Sequence, residues 1–345
     1  MRTAGHLAGA IILILALVAV GAFVYAAANP SEATGGTSLV AAAEAAAAAA
    51  AEAPAAVSAA ETTTETAAET AAETAAETAG DATAATASIK DTLTPEVMMS
   101  YFKPLPTEME AGDYQVTNEL THLGRMLFYD PRLSINQQMS CNTCHLLNDY
   151  GVDGLTTSLG HDGKPVSRNA PTVYNAAFHI AQFWDGRAEG VEEQAGGPML
   201  AAAEMGMPDE AYVENVVNSI PGYEQYFVAA FGNENPVNFE NIKTAIGAFE
   251  RRLVTPSRVD SYMLGDLSAL TEEELQGAQT FVSVGCIGCH NGMGFGGLMY
   301  GKLGQAVPYE VEDAGRAAVT GAETDEQVFK VPSLRNVTET GPYLH

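Results

Sequence analysis

The chain has little positive charge and little cysteine. Its 345 residues include 16 lysines and arginines against 43 aspartates and glutamates, which gives a formal net charge of −27. A surface of this sign repels nucleic acid and attracts a basic protein over a salt-dependent range, so nucleic-acid binding is excluded as a function. All 4 cysteines fall within two short motifs, so none is left for a separate disulfide framework.

Both cysteine motifs follow the pattern Cys-x-x-Cys-His. They are Cys141-Asn-Thr-Cys144-His145 and Cys286-Ile-Gly-Cys289-His290. The pattern is the attachment signal for c-type haem, since the two thiols bind the haem vinyl groups and the adjacent histidine can ligate the iron. Two short-loop disulfides or two zinc half-sites are the alternatives, and the histidine after both motifs argues against them. We therefore predict two covalently bound haems.

A long hydrophobic run lies near the N-terminus, from Leu7 to Ala28. It is long enough to span a bilayer, and it ends in Tyr25-Ala-Ala-Ala28, which is similar to a signal-peptidase site. We predict that residues 1–28 are a signal peptide or an uncleaved membrane anchor. Either one exports the rest of the chain, in agreement with haem attachment outside the cytoplasm. The expected location is the periplasm, with tethering to the inner membrane if the anchor is kept.

Residues 29–90 are a low-complexity segment of alanine, threonine and glutamate. A Glu-Thr-Ala-Ala repeat spaces its glutamates four residues apart, from Glu65 to Glu77, where like charges on one helix face repel each other. We therefore predict a semi-extended tether without a core.

The remaining sequence has the periodicity of amphipathic helices, and no strand pattern competes with it. Helices are predicted over Tyr114–Phe128, Pro208–Phe231, Phe239–Leu253 and from the capping box Thr271-Glu-Glu-Glu274 into Cys286. Gly151–Thr172, rich in Gly, Asp, Ser and Pro, is predicted to be irregular. We therefore predict a mainly α fold with two cytochrome c-like haem domains. Thr255-Pro256-Ser257 interrupts the helical pattern, so we place the boundary there, between residues 91–255 and 256–345.

A series of short motifs in this region makes a specific resemblance. They are Leu123-Gly-Arg-Met-Leu-Phe-Tyr-Asp-Pro-Arg-Leu-Ser134, Ser140-Cys-Asn-Thr-Cys-His145, Thr157-Ser-Leu-Gly-His161, Arg168-Asn-Ala-Pro-Thr172, Gln182-Phe-Trp-Asp-Gly-Arg-Ala188, Glu193-Gln194-Ala, Glu204-Met205, Ala248-Phe-Glu250, the second haem motif, Pro332-Ser-Leu-Arg-Asn336 and Pro342-Tyr-Leu-His345. In this order and at these separations they resemble the bacterial di-haem cytochrome c peroxidases. The resemblance covers residues 118–345, and the first 90 residues lie outside it.

The resemblance implies that hydrogen peroxide is reduced to water at the first haem. A small cytochrome c or cupredoxin would deliver electrons to the second haem, and the enzyme would be a homodimer. His145 and His290 match the proximal iron ligands. His161 matches a distal histidine that caps the first iron in the oxidised state, and it lies on a loop with Gly160 and Gly163 that is able to move away.

Three further residues match catalytic positions of the family. Glu204 matches a glutamate that acts as acid and base, and Gln194 matches a residue that orients peroxide or water. Trp184, the only tryptophan of the chain, matches a residue between the haems that mediates electron transfer. A buried tryptophan of this kind also suits a structural role, and the two roles are compatible.

The resemblance also implies a calcium ion between the domains. Asn169, Thr340 and Pro342 match its ligands, the last two through backbone carbonyls, and oxygen ligands suit a hard cation.

Two arginines, Arg168 and Arg187, are suited to pair with haem propionates or with carboxylates such as that of Asp185. His122 and His179 belong to no motif, and we interpret them as structural or surface residues.

One departure from the family concerns the second haem. Its sixth ligand is usually a methionine beyond the segment that here ends at His345, and Met293 and Met299 lie too near His290 in the sequence to reach the opposite haem face. We expect the sequence to be a fragment, with a naturally shortened enzyme as the alternative. Loss of that thioether would lower the potential of the second haem.

Two other functions stay open at this point. One is a di-haem enzyme that oxidatively modifies a protein substrate, and His161 argues against it because such relatives generally lack this histidine. The other is a non-enzymatic di-haem electron carrier, which leaves Gln194 and Glu204 unexplained.

Overall fold

The computed structural model of the chain describes residues 88–232, 234–305, 307–309 and 312–343. The predicted signal peptide or anchor, nearly all of the predicted tether and His345 lie outside the described residues. Within the described part, no helix combines the length and the apolar character needed to cross a membrane. These residues form a mainly helical fold, as the sequence predicted.

The elements are short and are joined by long irregular loops. The α-helices are α1 (Ile89–Thr92), α2 (Pro95–Tyr101), α3 (Asn118–Phe128), α4 (Cys141–Cys144), α5 (Val191–Leu200), α6 (Glu210–Ser219), α7 (Tyr223–Phe231), α8 (Phe239–Glu250), α9 (Arg258–Met263), α10 (Glu272–Ser283) and α11 (Ala317–Thr320). Single 3-10 turns cover Pro131–Leu133, Ala176–Phe178, Cys286–Gly288 and Glu323–Asp325, and the strands are β1 (Tyr300–Lys302) and β2 (Val328–Lys330).

Three of the predicted helices are confirmed, as α3, α8 and α10. The start of α3 is fixed by Thr117, whose hydroxyl accepts a hydrogen bond from the Leu120 amide at 3.2 Å. The capping box of α10 is also present. The Thr271 hydroxyl accepts from the Glu274 amide at 3.2 Å, and the Glu274 carboxylate accepts from the Thr271 amide at 2.9 Å. These bonds satisfy amides that the start of a helix leaves without a partner.

The structure differs from two helix predictions at breaks in the backbone. The helix predicted over Pro208–Phe231 is divided into α6 and α7, because Pro221 has no amide hydrogen to donate and Gly222 has a left-handed φ of 98°. Helix α10 does not continue into Cys286, because Gly285 adopts a left-handed φ of 88° after the helix ends.

The structure contains two three-residue strands that no sequence pattern indicated. Strands β1 and β2 pair antiparallel, with Tyr300 opposite Lys330 and Lys302 opposite Val328. Segments this short carry too few residues for an alternating pattern to stand out in the sequence. The strand pair forms part of the wall of the second cavity described below.

The first hydrophobic core lies where α3 crosses α8. Leu123, Leu127, Ile242, Ala245 and Ile246 are fully buried there. At Gly124 a Cβ atom would lie only 1.8 Å from the carbonyl oxygen of Ala245. The two helices therefore approach so closely that this position accommodates only glycine.

The second core combines residues from the start of the described chain with residues 262–275. Leu93, Met98 and Phe102, from the segment around α1 and α2, pack with Tyr262 and Leu275 from α9 and α10. The amide of Gly292, just after the second haem motif, also donates to the Tyr101 carbonyl at 3.0 Å. Residues close to the start of the described region thus complete the core beside the second motif.

Candidate active site

A first cavity opens beside the first haem motif. It contains about 960 Å³ of empty space, including its mouth. Its lining includes Cys144 and His145 from the motif, together with Trp184, Gln194 and Glu204. The fold thus brings five predicted site residues, which are spread over 61 positions of the chain, to one concave surface.

The orientation of His145 fits a metal ligand. Its Nδ1 atom lies 3.3 Å from the Gly151 carbonyl oxygen, which can only accept a hydrogen bond. Nδ1 therefore carries the proton, and the Nε2 lone pair is left for a metal. Burial lowers the pKa of His145, so that its imidazole is neutral at physiological pH.

Glu204 and Gln194 come from one helix and the turn that follows it. Gln194 lies on α5, and Glu204 lies in the turn after this helix, where its amide donates to the Ala201 carbonyl at 2.9 Å. Burial raises the pKa of Glu204, and the positive charge of Arg187 opposes part of this effect. A carboxyl with a raised pKa is closer to the pH at which it can both accept and donate a proton.

His161 lies outside the lining of this cavity. Its Nε2 is 3.1 Å from the Ala202 carbonyl oxygen, and its amide donates to the Glu204 carbonyl at 2.8 Å. A Cβ at Gly160 would lie 1.8 Å from the Ala203 carbonyl oxygen, so the His161 loop packs tightly on the turn that carries Glu204. Its role as a distal iron ligand stays a prediction.

A second cavity of about 1560 Å³, including its open side, lies beside the second haem motif. Its lining includes Cys289 and His290, and the strands β1 and β2 form another part of its wall. The Nδ1 atom of His290 lies 3.0 Å from the Phe295 carbonyl oxygen, so that Nε2 again remains available for a metal.

The donor groups at both motifs fit c-type haem. All four cysteines lie within the described residues and are free thiols, so the alternative of two short-loop disulfides is not what the structure shows. Each motif places one thiol and its histidine in the wall of a cavity, Cys144 and His145 in the first and Cys289 and His290 in the second. The protein thus supplies the attachment points and one axial ligand for each of two haems.

Trp184 lines both cavities. Its indole N–H donates to the Asn169 carbonyl at 2.9 Å, and its own carbonyl accepts from the Lys330 amide at 2.9 Å. The preceding residue, Phe183, has a φ of 63°, which is rare for a bulky side chain, and the Arg187 guanidinium lies 3.4 Å from the centre of its ring. The backbone turn at Phe183 thus sets the direction of the tryptophan.

Arg168 and Arg187 also line the first cavity, and both bind carboxylates of the chain. Arg168 pairs with Asp185 at 2.5 Å and with Asp313 at 2.6 Å, and Arg187 pairs with Asp185 at 3.0 Å. The sequence suggested haem propionates or carboxylates of the chain as partners of these arginines, and the structure shows pairs with carboxylates. These bonds join the loop after the first haem motif to residues near the C-terminal end of the described region.

The predicted calcium ligands are placed as follows. Asn169 is buried, and its side-chain amide donates to the Leu155 carbonyl at 2.8 Å. Thr340 is half-buried with its hydroxyl 3.4 Å from that of Tyr343, and Pro342 is exposed. Among the described residues, no group of three or more His, Cys, Asp or Glu side chains is arranged to hold a metal ion. The calcium site stays a prediction.

Three residues near the cavities were not assigned a site role from the sequence. Glu250 lines the first cavity, and burial together with the charge of Glu192 raises its pKa to about 8. Lys330 lines the second cavity, and its side-chain nitrogen lies 3.0 Å from Nδ1 of the half-buried His179. Glu250 was visible only as part of a motif, and nothing near Lys330 signalled a buried lysine.

Comparisons with known proteins agree on one family. The family model for di-haem cytochrome c peroxidase matches residues 118–268. A cytochrome c551 peroxidase of Nitrosomonas europaea is 47% identical over 230 residues, covering 66% of this chain and 68% of the relative. A cytochrome c551 peroxidase of Pseudomonas aeruginosa is 42% identical over 252 residues, covering 71% of this chain and 72% of the relative.

A solved structure has the same fold. It is that of a MauG-like protein associated with microbial copper homeostasis, and it matches with a TM-score of 0.61 and 31% sequence identity. The match covers 70% of this chain and 76% of the solved one.

Proposed function

The chain belongs to the di-haem cytochrome c peroxidase family, and from this premise we propose how its two cavities divide the reduction of hydrogen peroxide. The enzyme reduces hydrogen peroxide with electrons from a redox protein, and each peroxide consumes two electrons and two protons to give two waters. In our proposal the first cavity is the site of reduction and the second receives the electrons. The observation that supports this most directly is that His145, Gln194 and Glu204 line one cavity, while Trp184 lines both.

In this proposal the two motifs hold the haems. Cys141, Cys144 and His145 bind the first haem, and the corresponding residues of the second motif bind the second. A bound haem supplies the iron that binds peroxide and the electrons that cleave its O–O bond. The protein contributes the placement of the substrate, the transfer of protons and the route for electrons.

Glu204 moves the proton. Its carboxylate accepts the proton of the peroxide oxygen nearer the iron and returns it to the departing oxygen, which leaves as water. Burial raises the pKa of Glu204 and so suits it to both steps. The carboxamide of Gln194, on the preceding helix, donates a hydrogen bond that orients the substrate.

Trp184 carries electrons from the second cavity to the first. Its support is positional, since the side chain lies in both walls and is held by hydrogen bonds through its indole N–H and its carbonyl. His161 controls access to the first cavity. His161 would hold the first iron in the resting enzyme and would release it when the second haem is reduced; in the structure its Nε2 lies 3.1 Å from the Ala202 carbonyl oxygen.

Further parts of the proposal concern the surroundings of the enzyme. We propose that it acts in the periplasm as a homodimer, with residues 1–28 directing export or tethering it to the membrane. We also propose a calcium ion held by Asn169, Thr340 and Pro342. The support for calcium is that Asn169 is buried and donates through its amide nitrogen, which leaves its side-chain oxygen for a cation.

A second candidate function is oxidative modification of a protein substrate. The likeness to the MauG-like structure favours it, at 31% sequence identity. The presence of His161 and the higher identity to the cytochrome c551 peroxidases favour reduction of hydrogen peroxide instead.

Rapid mixing of the half-reduced protein with hydrogen peroxide tests the role of Glu204. We expect Glu204→Gln to slow the peroxide reaction by about 10²- to 10⁴-fold, because the amide cannot accept the proton. The matched control is Glu193→Gln, since Glu193 lies on the same helix as Gln194 but outside the cavity lining and bonds to the Glu189 amide. A Glu204→Gln variant as fast as the parent would show that the acid–base assignment is wrong.

A further inference from the structure

Lys330 is a buried lysine at the wall of the second cavity. The residue is 7% exposed and ends strand β2. Its backbone amide bonds to the Trp184 carbonyl, and its side-chain nitrogen lies 3.0 Å from Nδ1 of His179. A lysine so placed normally requires an anion nearby, because a buried ammonium without one is costly.

The described residues supply no such anion. None of their ion pairs includes Lys330, and the described lining of the second cavity contains no aspartate or glutamate, although the chain as a whole has 43. The charged side chains in this lining are Lys330 and Lys302. In a strongly acidic protein, the charged side chains that the structure describes in this wall are therefore all basic.

His179 supports the ammonium group and does not neutralise it. Burial and the neighbouring Lys330 lower the pKa of His179 well below its ordinary value, so the ring is neutral. Its Nδ1 accepts a hydrogen bond from Lys330, and its buried Nε2 has no hydrogen-bond partner among the described residues. One hydrogen bond thus holds the lysine side chain in place while its charge stays uncompensated.

We propose that Lys330, held by His179, binds a propionate carboxylate of the haem in the second cavity. Lys330 is thereby a positioning residue for that haem, and its positive charge favours the reduced form of the iron. The inference rests on the proposed function only in that the cavity holds a haem. Lys330 thus makes the second haem a better electron acceptor. It is bonded through its amide to Trp184, which also lines the first cavity.

Redox titration of the holoprotein, followed in the visible spectrum, tests this proposal. We expect Lys330→Gln to lower the equilibrium constant for reduction of the second haem about tenfold, or ~59 mV for one electron. The first haem should keep its potential. Lys330→Arg keeps the charge, so its equilibrium constant for reduction of the second haem should stay within about twofold of that of the parent. Lys302→Gln is the matched control, because Lys302 lines the same cavity but is exposed, and solvent screens its charge.

Two results would overturn the inference. One is a Lys330→Gln protein that holds both haems and whose second haem has a reduction potential shifted no further from the parent value than in Lys302→Gln. The other comes from the parent itself, so it holds even if Lys330→Gln fails to fold. Resonance Raman spectra of its second haem should show a propionate bending band that shifts in deuterated buffer, and an insensitive band contradicts a hydrogen-bonded propionate. The haem content of the parent is a separate measurement, since fewer than two haems per chain would contradict the proposed function.

Discussion

At the scale of single residues, Asp260 holds three segments of the chain together. Its carboxylate receives two hydrogen bonds of 2.8 Å from the Arg335 guanidinium and one of 2.8 Å from the Leu105 amide, and it caps α9 through Ser257. Burial would raise the pKa of Asp260, but these bonds outweigh it and lower the pKa. The stabilisation is therefore complete above the unfolded-state pKa and is lost as the pH falls through the folded-state pKa.

Replacing Arg335 should unfold the protein more easily. In Arg335→Leu the Asp260 carboxylate stays buried without its partner, so we expect a loss of about 3–5 kcal/mol in the free energy of unfolding. Urea unfolding of the holoprotein at neutral pH measures this loss. The control is Arg258→Gln, whose exposed pair with Glu274 should contribute little. A similar urea midpoint for both variants would contradict the structural role of the buried pair.

The sequence motifs indicated residues of the first cavity wall better than they indicated buried charges. Glu204, Gln194 and Trp184 were found because each stands in a motif, and the fold brings them to the same cavity. The Lys330–His179 pair was missed because its two members are 151 positions apart and belong to different segments. Burial of a lysine depends on which segments pack over it, and the sequence around Lys330 does not record that.

At the scale of elements, the crossing of α3 and α8 depends on one glycine. The absent side chain of Gly124 allows the helix backbones to meet at the Ala245 carbonyl. This contact joins the two longest helices of the first core, and α4 with the first haem motif follows α3 along the chain. The spacing of these helices therefore bears on the position of the first motif.

Adding one methyl group at this crossing should destabilise the protein. In Gly124→Ala the new Cβ collides with backbone, and we expect a net loss of about 1–3 kcal/mol from overpacking, even though alanine is the better helix former. The control is Gly277→Ala on α10, where a Cβ would meet no atom within 4 Å, so a gain of up to about 1 kcal/mol is expected. In thermal unfolding, the melting temperature should fall for Gly124→Ala and rise for Gly277→Ala. A shift of both in the same direction would contradict the close contact.

Helix positions could be predicted where a cap and an apolar stripe coincide, as in α3 and α10. The division between α6 and α7 could have been anticipated from Pro221-Gly222, which the apolar periodicity on either side obscured. Strands β1 and β2 could not, because their pairing joins positions about 30 residues apart and depends on the loop between them.

At the scale of the whole molecule, the net charge of −27 should govern encounters with the electron donor. Opposite charge speeds diffusional association, and salt weakens the effect. The family implies a redox protein as donor, and a basic one fits the sign of this chain.

The rate of donor oxidation should therefore depend on salt. With a basic small cytochrome c we expect the second-order rate constant to fall about tenfold or more between about 10 mM and about 500 mM ionic strength. Stopped-flow mixing under limiting donor measures it. An acidic cytochrome of similar potential is the control and should react faster as salt is added. A rate that is independent of salt with both donors would contradict electrostatic steering.

The packing of the N-terminal part of the described region against the second core has a consequence for biosynthesis. Leu93, Met98 and Phe102 are translated long before their partners Tyr262 and Leu275. Domains usually fold in the order of their synthesis, but these apolar side chains must wait, without partners, until most of the chain has been made. The core beside the second haem motif can therefore become complete only after the segment that carries the first motif has been synthesised.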